Sequence, residues 1–112
     1  MIEANGYKLF GFWENMPYGK PTDCFDDFKQ YKNTIDKESV IRHIESFGSD
    51  YWATSSQSTD IFTGESFSGG MYEDGQFRFP IDFLRYYKTQ DIGIPYEYED
   101  YLKSIGVGRV DL

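Results

Sequence analysis

The sequence predicts an α+β fold, an antiparallel sheet (a meander) with three helices packed on it. Three observations carry this reading. The middle of the chain is a run of short β-prone segments broken by Gly-containing turns. Three other segments carry apolar residues at helical spacing, each with a recognisable start or stop. The order is strand, helix, meander, then two helices.

Tyr7 to Glu14 (YKLFGFWE) is aromatic-rich and bounded by Gly6 and by Asn15 to Pro17, so it reads as a buried strand. Met16 to Asp27 contains Pro17, Gly19 and Pro21 and reads as an irregular loop, with a short helical turn over Phe25 to Tyr31. Asp36 is placed as an N-cap. The stripe Val40, Ile41, Ile44, Phe47 follows at i, i+1, i+4, i+7, and Gly48 stands where a helix commonly ends.

Tyr51 to Ser56 reads as the first strand of the meander. Asp60 to Thr63 and Ser66 to Tyr72 read as strands flanking the turn Thr63-Gly64-Glu65. Asp74-Gly75 reads as a type I′ hairpin turn, with Gln76 to Phe79 as the return strand. Gly69-Gly70 predicts a bulge or a close backbone approach. Pro80 opens a helix over Ile81 to Lys88, with Ile81, Leu84 and Tyr87 on its apolar side. Pro95 opens another, Tyr96 to Ile105, with Tyr98, Tyr101, Leu102 and Ile105 as its stripe and Gly106 closing it. Glu97, Glu99 and Asp100 sit in its first turns, where the helix dipole favours acids. The tail Val107 to Leu112 is expected to pair with a sheet edge or fray.

The chain has 112 residues, which reads as a single domain over 1–112. Its net charge is −8, from 11 basic and 19 acidic residues. That balance repels nucleic acid and anionic membrane surfaces and attracts basic proteins. No segment approaches the roughly 18 apolar residues of a membrane span. The lone Cys24 and the absence of a signal-peptide pattern at the start make the cytoplasm the expected compartment.

The chemistry-bearing residues are sparse. His43, the only histidine, lies off the centre of its helical stripe and reads as a boundary residue. A catalytic histidine needs an orienting acid and a nucleophile, and the sequence marks neither. Cys24 stands among Asp23, Asp26 and Asp27, which disfavour a thiolate. The same acids lack the spacing, glycine and terminal glutamate of a calcium loop. With no phosphate-binding, dinucleotide-binding or nucleophile-elbow motif, the expectation is a protein that is not an enzyme and carries no cofactor or metal.

What remains is surface. Aromatic residues make up 20% of the chain, and Tyr suits a half-wet interface. If the meander and the last helix share an edge, Asp60, Glu65, Tyr72, Glu73, Asp74, Tyr96, Glu97 and Tyr98 are the expected partner-binding set. Acid and tyrosine together would complement a basic cleft on a protein partner.

The phrases TDIFTGESFSGGMYEDGQFRFPIDFLRYYK and DIGIPYEYEDYLKSIG, between Thr59 and Gly106, resemble small immunity proteins. Those are encoded beside contact-dependent growth inhibition and other polymorphic toxins of bacteria. The second phrase is also similar to a helix of the SUKH group of immunity proteins, where it lies near the start of the domain and not, as here, at the end. The resemblance implies stoichiometric binding and neutralisation of a toxin domain, often a nuclease, in the cytoplasm. It supplies no catalytic residues. The alternatives left open are an acidic nucleic-acid mimic and an adaptor module, either binding a basic host protein.

Overall fold

The computed structural model describes residues 2–12, 23–47, 52–60 and 62–108. The element order is β1 (Ile2–Ala4), β2 (Tyr7–Leu9), α1 (Phe25–Phe28), α2 (Lys37–Glu45), β3 (Trp52–Thr59), β4 (Ser66–Asp74), β5 (Phe77–Pro80), α3 (Ile81–Thr89) and α4 (Tyr96–Ser104). The α+β class stands, but the sheet is mixed. Its five strands run β1-β2-β5-β4-β3, and β2 lies parallel to β5, with Lys8 opposite Phe77 and Leu9 opposite Arg78. The expected purely antiparallel meander covers only β3, β4 and β5. The N-terminal hairpin takes the remaining edge of β5 in the parallel sense.

That hairpin carries the turn chemistry that was assigned to Asp74-Gly75. Asn5 and Gly6 have φ of 55° and 84°, positive at both central positions, as a type I′ turn requires. At the other hairpin Asp74 pairs with Phe77, so the central residues are Gly75 and Gln76. Only Gly75 has positive φ, at 60°, which is the type II′ pattern. Asp74 is therefore the last residue of β4 and not a turn residue.

Two further strand expectations are corrected. The expected strand Asp60 to Thr63 is not seen at its described residues Asp60, Phe62 and Thr63, where the Asp60 carboxylate accepts from the Phe62 and Thr63 amides at 2.8 and 3.0 Å in a turn. The first meander strand instead continues to Thr59. Tyr7 to Glu14 is strand only to Leu9: Phe10 still donates to Arg78 O, and then the Gly11 amide turns to Asp23 Oδ2 at 3.0 Å. Trp13 and Glu14 lie outside the described residues, as does much of the expected loop. The bulge expectation has a counterpart, a register shift between Ala53 and Gln57 across from Gly69.

The helices start close to where proline and aspartate place them. Asp36 caps α2, accepting from the Ser39 amide at 3.0 Å. Val40 and Ile44 are buried, while Ile41 and Phe47 are half-buried. Gly48 lies outside the described residues. Pro80 and Pro95 stand immediately before α3 and α4, both in extended or near-extended conformation. The four-residue α1 makes a fourth helix beside the three expected. In α3 the buried set is Asp82, Phe83, Leu84, Tyr86 and Tyr87, with Ile81 only half-buried, so the apolar side is wider than the stripe Ile81, Leu84, Tyr87. α3 lies against β4 and β5 with α2 beside it.

Aromatic rings make the core. Phe10 sits 4.9 Å from Phe79, 5.2 Å from Phe83 and Tyr98, and within 6.4 Å of Phe28 and Phe77. Such pairs add about 0.5–1.5 kcal/mol each beyond area burial. Ordering these rings joins β2's exit, β5, α1, α3 and α4 around one residue. Among the described residues no helix is long and apolar enough to cross a membrane.

Candidate functional site

The eight residues predicted to bind a partner do not form one patch. Four of them, Asp60, Tyr72, Asp74 and Tyr98, are buried. Buried acids must be matched by donors, and both aspartates are. Asp60 turns the β3–β4 connection as described and takes the Arg85 Nε–H at 2.7 Å. Arg85 also donates to Glu65 at 2.8 Å, which ties that exposed acid to α3. The Arg85 guanidinium holds the Asp60 carboxyl below its ordinary value. Tyr72 packs its ring on Phe79 and Phe47.

Asp74 is the second matched acid. It is 6% exposed, and its Oδ2 accepts from Tyr98 Oη at 2.7 Å and lies 2.9 Å from His43 Nε2. Tyr101 Oη donates to Oδ1 at 3.3 Å. A carboxylate only accepts, so the His43 ring donates through Nε2. His43 is half-buried with its ring 5.0 Å from Phe47, which is the boundary position its place off the stripe predicts. The structure thus supplies the orienting acid that the sequence did not reveal. The signal was spread over residues 43, 74, 98 and 101, and only the fold brings these together. In effect this centre ties α2, the end of β4 and α4 to one another. Burial, then the nearby Asp74, pushes the Tyr98 hydroxyl well above its usual range.

A third buried acid is one that the sequence places in the first turns of the last helix on the strength of the helix dipole. Glu99 instead faces inward from α4 and accepts from the Thr34 and Ile35 amides at 2.7 and 3.0 Å, and from Asn33 Nδ2 at 3.1 Å. Asn33 in turn exchanges hydrogen bonds with both backbone groups of Ile94, at 3.0 and 2.9 Å. These contacts hold the segment before α2 against the segment before α4. Burial raises the Glu99 carboxyl, but the Ile35 amide, Asn33, the Thr34 amide and Lys103 outweigh it and leave it below its ordinary 4.5.

The other predicted residues remain at the surface. Glu73 is half-exposed and bonded to Arg78 at 3.2 Å. On α4, Tyr96, Glu97 and Asp100 are exposed, and their i, i+1, i+4 spacing places them on one face. Tyr96 is 48% exposed yet fixed: its ring meets Tyr31 edge-on at 5.1 Å, and its hydroxyl accepts from the Lys32 amide at 3.0 Å. Glu97 bonds Lys8 on β2, and Glu3 on β1 lies 4.0 Å from the same ammonium. Asp100 has no hydrogen-bond or ion-pair partner among the described residues. The surface that survives is therefore the outer face of α4 with the rim of the β1–β2 hairpin.

Among the described residues no three His, Cys, Asp or Glu side chains are grouped so as to hold a metal ion. Cys24 is exposed. Compared with known proteins, the chain matches no family model, no curated protein and no solved structure.

Proposed function

We propose that this chain is an immunity protein. It binds a basic toxin domain one-to-one in the cytoplasm and blocks it with the outer face of α4. One observation carries the reading: Tyr96, Glu97 and Asp100 share an exposed face, and Tyr96 is already held in place by Tyr31 and the Lys32 amide. A pre-set tyrosine loses little rotamer freedom on binding, so its contact area contributes more of its full value. The acids beside it, with −8 over the chain, steer a basic partner and fix its register. The interior acids Asp60, Asp74 and Glu99 belong to the fold and take no part.

The test is capture from the native host followed by measured binding. The tagged protein should recover a basic toxin fragment at equal stoichiometry. Tyr96→Ala should then weaken that complex by about 2 kcal/mol or more, as buried interface aromatics do. Glu97→Lys with Asp100→Lys should slow association and flatten its salt dependence. Wild-type affinity in all three variants would remove this face from the interface. Recovery of a DNA- or RNA-binding host protein in place of a toxin would replace immunity with nucleic-acid mimicry.

A further inference from the structure

Among the described residues of this acidic chain, one cleft gathers lysines. It has a volume of about 230 Å³ and is lined by Lys29, Tyr31, Lys32, Lys37, Tyr87 and Asp91, among others. Lys29 is paired with Asp26 at 3.2 Å, which leaves the Lys32 and Lys37 ammonium groups with the Asp91 carboxylate in the lining, on a protein whose net charge is −8. The pairing of the basic residues sharpens the contrast. Lys8, Lys29, Arg78, Arg85, Lys88 and Lys103 each stand within 4.0 Å of a carboxylate. Among the described residues Lys32, Lys37 and Arg42 have no such partner, and two of these three open on this cleft.

Lys37 is the more constrained of the two. Its ammonium donates to Gln90 O at 3.1 Å and Ile92 O at 3.5 Å and sits 4.5 Å over the Tyr87 ring. Two donors are thus used and the third is left over. Burial lowers its pKa and Asp91 partly restores it. A half-buried ammonium held only by carbonyls and a ring face is an incompletely matched charge in a concave site. Lys32 is exposed at the rim, its own amide bound by Tyr96. The half-buried Tyr31 lines the same cleft, its ring braced edge-on by Phe28 and Tyr96. The nearby acids Asp23 and Asp27 act on the Tyr31 hydroxyl, which burial already raises, so that group stays neutral.

We propose that this cleft binds a small aromatic anion of the aryl phosphate or aryl carboxylate class. The anionic group lies between Lys32 and Lys37, and the ring lies against Tyr31. Two lysines make point contacts with an anion, and one aromatic wall supplies the apolar area that a bare inorganic ion cannot use. The cleft adjoins the acidic face of α4 through Tyr96, which braces Tyr31 and binds the Lys32 amide, but its anion contacts are the Lys32 and Lys37 ammonium groups, which the toxin-binding reading does not use.

The test is a titration of the ¹⁵N-labelled protein, at constant ionic strength, with phenyl phosphate, benzoate and inorganic phosphate in turn. Saturable shifts are expected at the amides of Lys32, Asn33 and Gly93, with phenyl phosphate tighter than inorganic phosphate. Lys32→Ala, at an exposed position, keeps the fold and should weaken binding roughly tenfold, the loss of one charge-assisted contact. Lys37→Met should do the same while keeping its stem over Tyr87. Equal affinity for phenyl and inorganic phosphate would overturn the aromatic part of the proposal. Absent shifts, shifts equally large around Lys88 and Lys103, or binding unchanged in Lys32→Ala would overturn the site itself.

Discussion

The Tyr98 hydroxyl donates to Asp74 Oδ2 at 2.7 Å with both side chains buried, and His43 Nε2 meets the same oxygen at 2.9 Å. The two partners are not equivalent. Tyr98→Phe removes one donor and leaves Asp74 with His43 and Tyr101, which should cost about 1–2 kcal/mol. Asp74→Ala strands the Tyr98 hydroxyl in full burial and frees His43, which should cost about 3 kcal/mol or more. Urea unfolding measures both. An Asp74→Ala loss no larger than that of Tyr98→Phe would mean Asp74 does not organise the centre.

Alkaline pH probes the same region. Burial raises the hydroxyls of Tyr98 and Tyr87 above the ordinary 10, assisted by Asp74 at the first and by Glu99 and Asp36 at the second. The folded state therefore keeps protons that the unfolded chain releases above pH 10. The contribution is complete below pH 10 and is lost as pH rises beyond it. Phenolate absorbance should climb in two steps, the later one coinciding with loss of near-UV circular dichroism. A single step near pH 10 with the fold intact would contradict the burial of these two rings.

Glu99 gives the acid counterpart. Its carboxyl lies below the ordinary 4.5 in the folded state, so its stabilisation is present above that pH and is lost as pH falls through the folded value. Glu99→Gln keeps the shape and can leave a carbonyl oxygen for the Thr34 and Ile35 amides, but it then sets its NH2 group against the donating Asn33 Nδ2 and removes the charge, at a cost of about 1–3 kcal/mol. The variant should also lose part of the acid dependence. Unfolding curves below pH 4.5 that fall equally steeply for both proteins would assign the acid sensitivity elsewhere.

The parts of this fold that follow local rules were legible in the sequence. Asp36, Pro80 and Pro95 begin helices because an N-cap and a proline act on neighbouring backbone alone. The parallel β2–β5 pair was not legible, because strand sense across a connection of this length is decided by core packing, here around Phe10. Reading Asp74-Gly75 as the type I′ turn passed over Asn5-Gly6, which has the stronger form of the same signal. The site suffered most. An acid at a strand end or helix start looks solvated in sequence, and only tertiary partners such as Arg85, Tyr98 and the Thr34 amide reveal Asp60, Asp74 and Glu99 as interior.

The last helix separates the two outcomes within one stripe. Leu102 and Ile105 both belong to the predicted apolar set, but Leu102 is fully buried and Ile105 is 49% exposed. Ile105 is the C-cap residue, past the last turn that faces the core, and Glu99 occupies buried space on the inner side instead. Leu102→Ala should cost about 2–5 kcal/mol, because it empties a filled core position. Ile105→Ala should stay within about 0.5 kcal/mol, as surface changes do. Chemical unfolding of the two variants side by side decides the matter. If Ile105→Ala costs as much as Leu102→Ala, α4 is rolled further toward the sheet, and the outer face bearing Tyr96, Glu97 and Asp100 is not the surface available to a partner. If the costs differ as expected, α4 buries one side and leaves the other free, which the proposed interface requires.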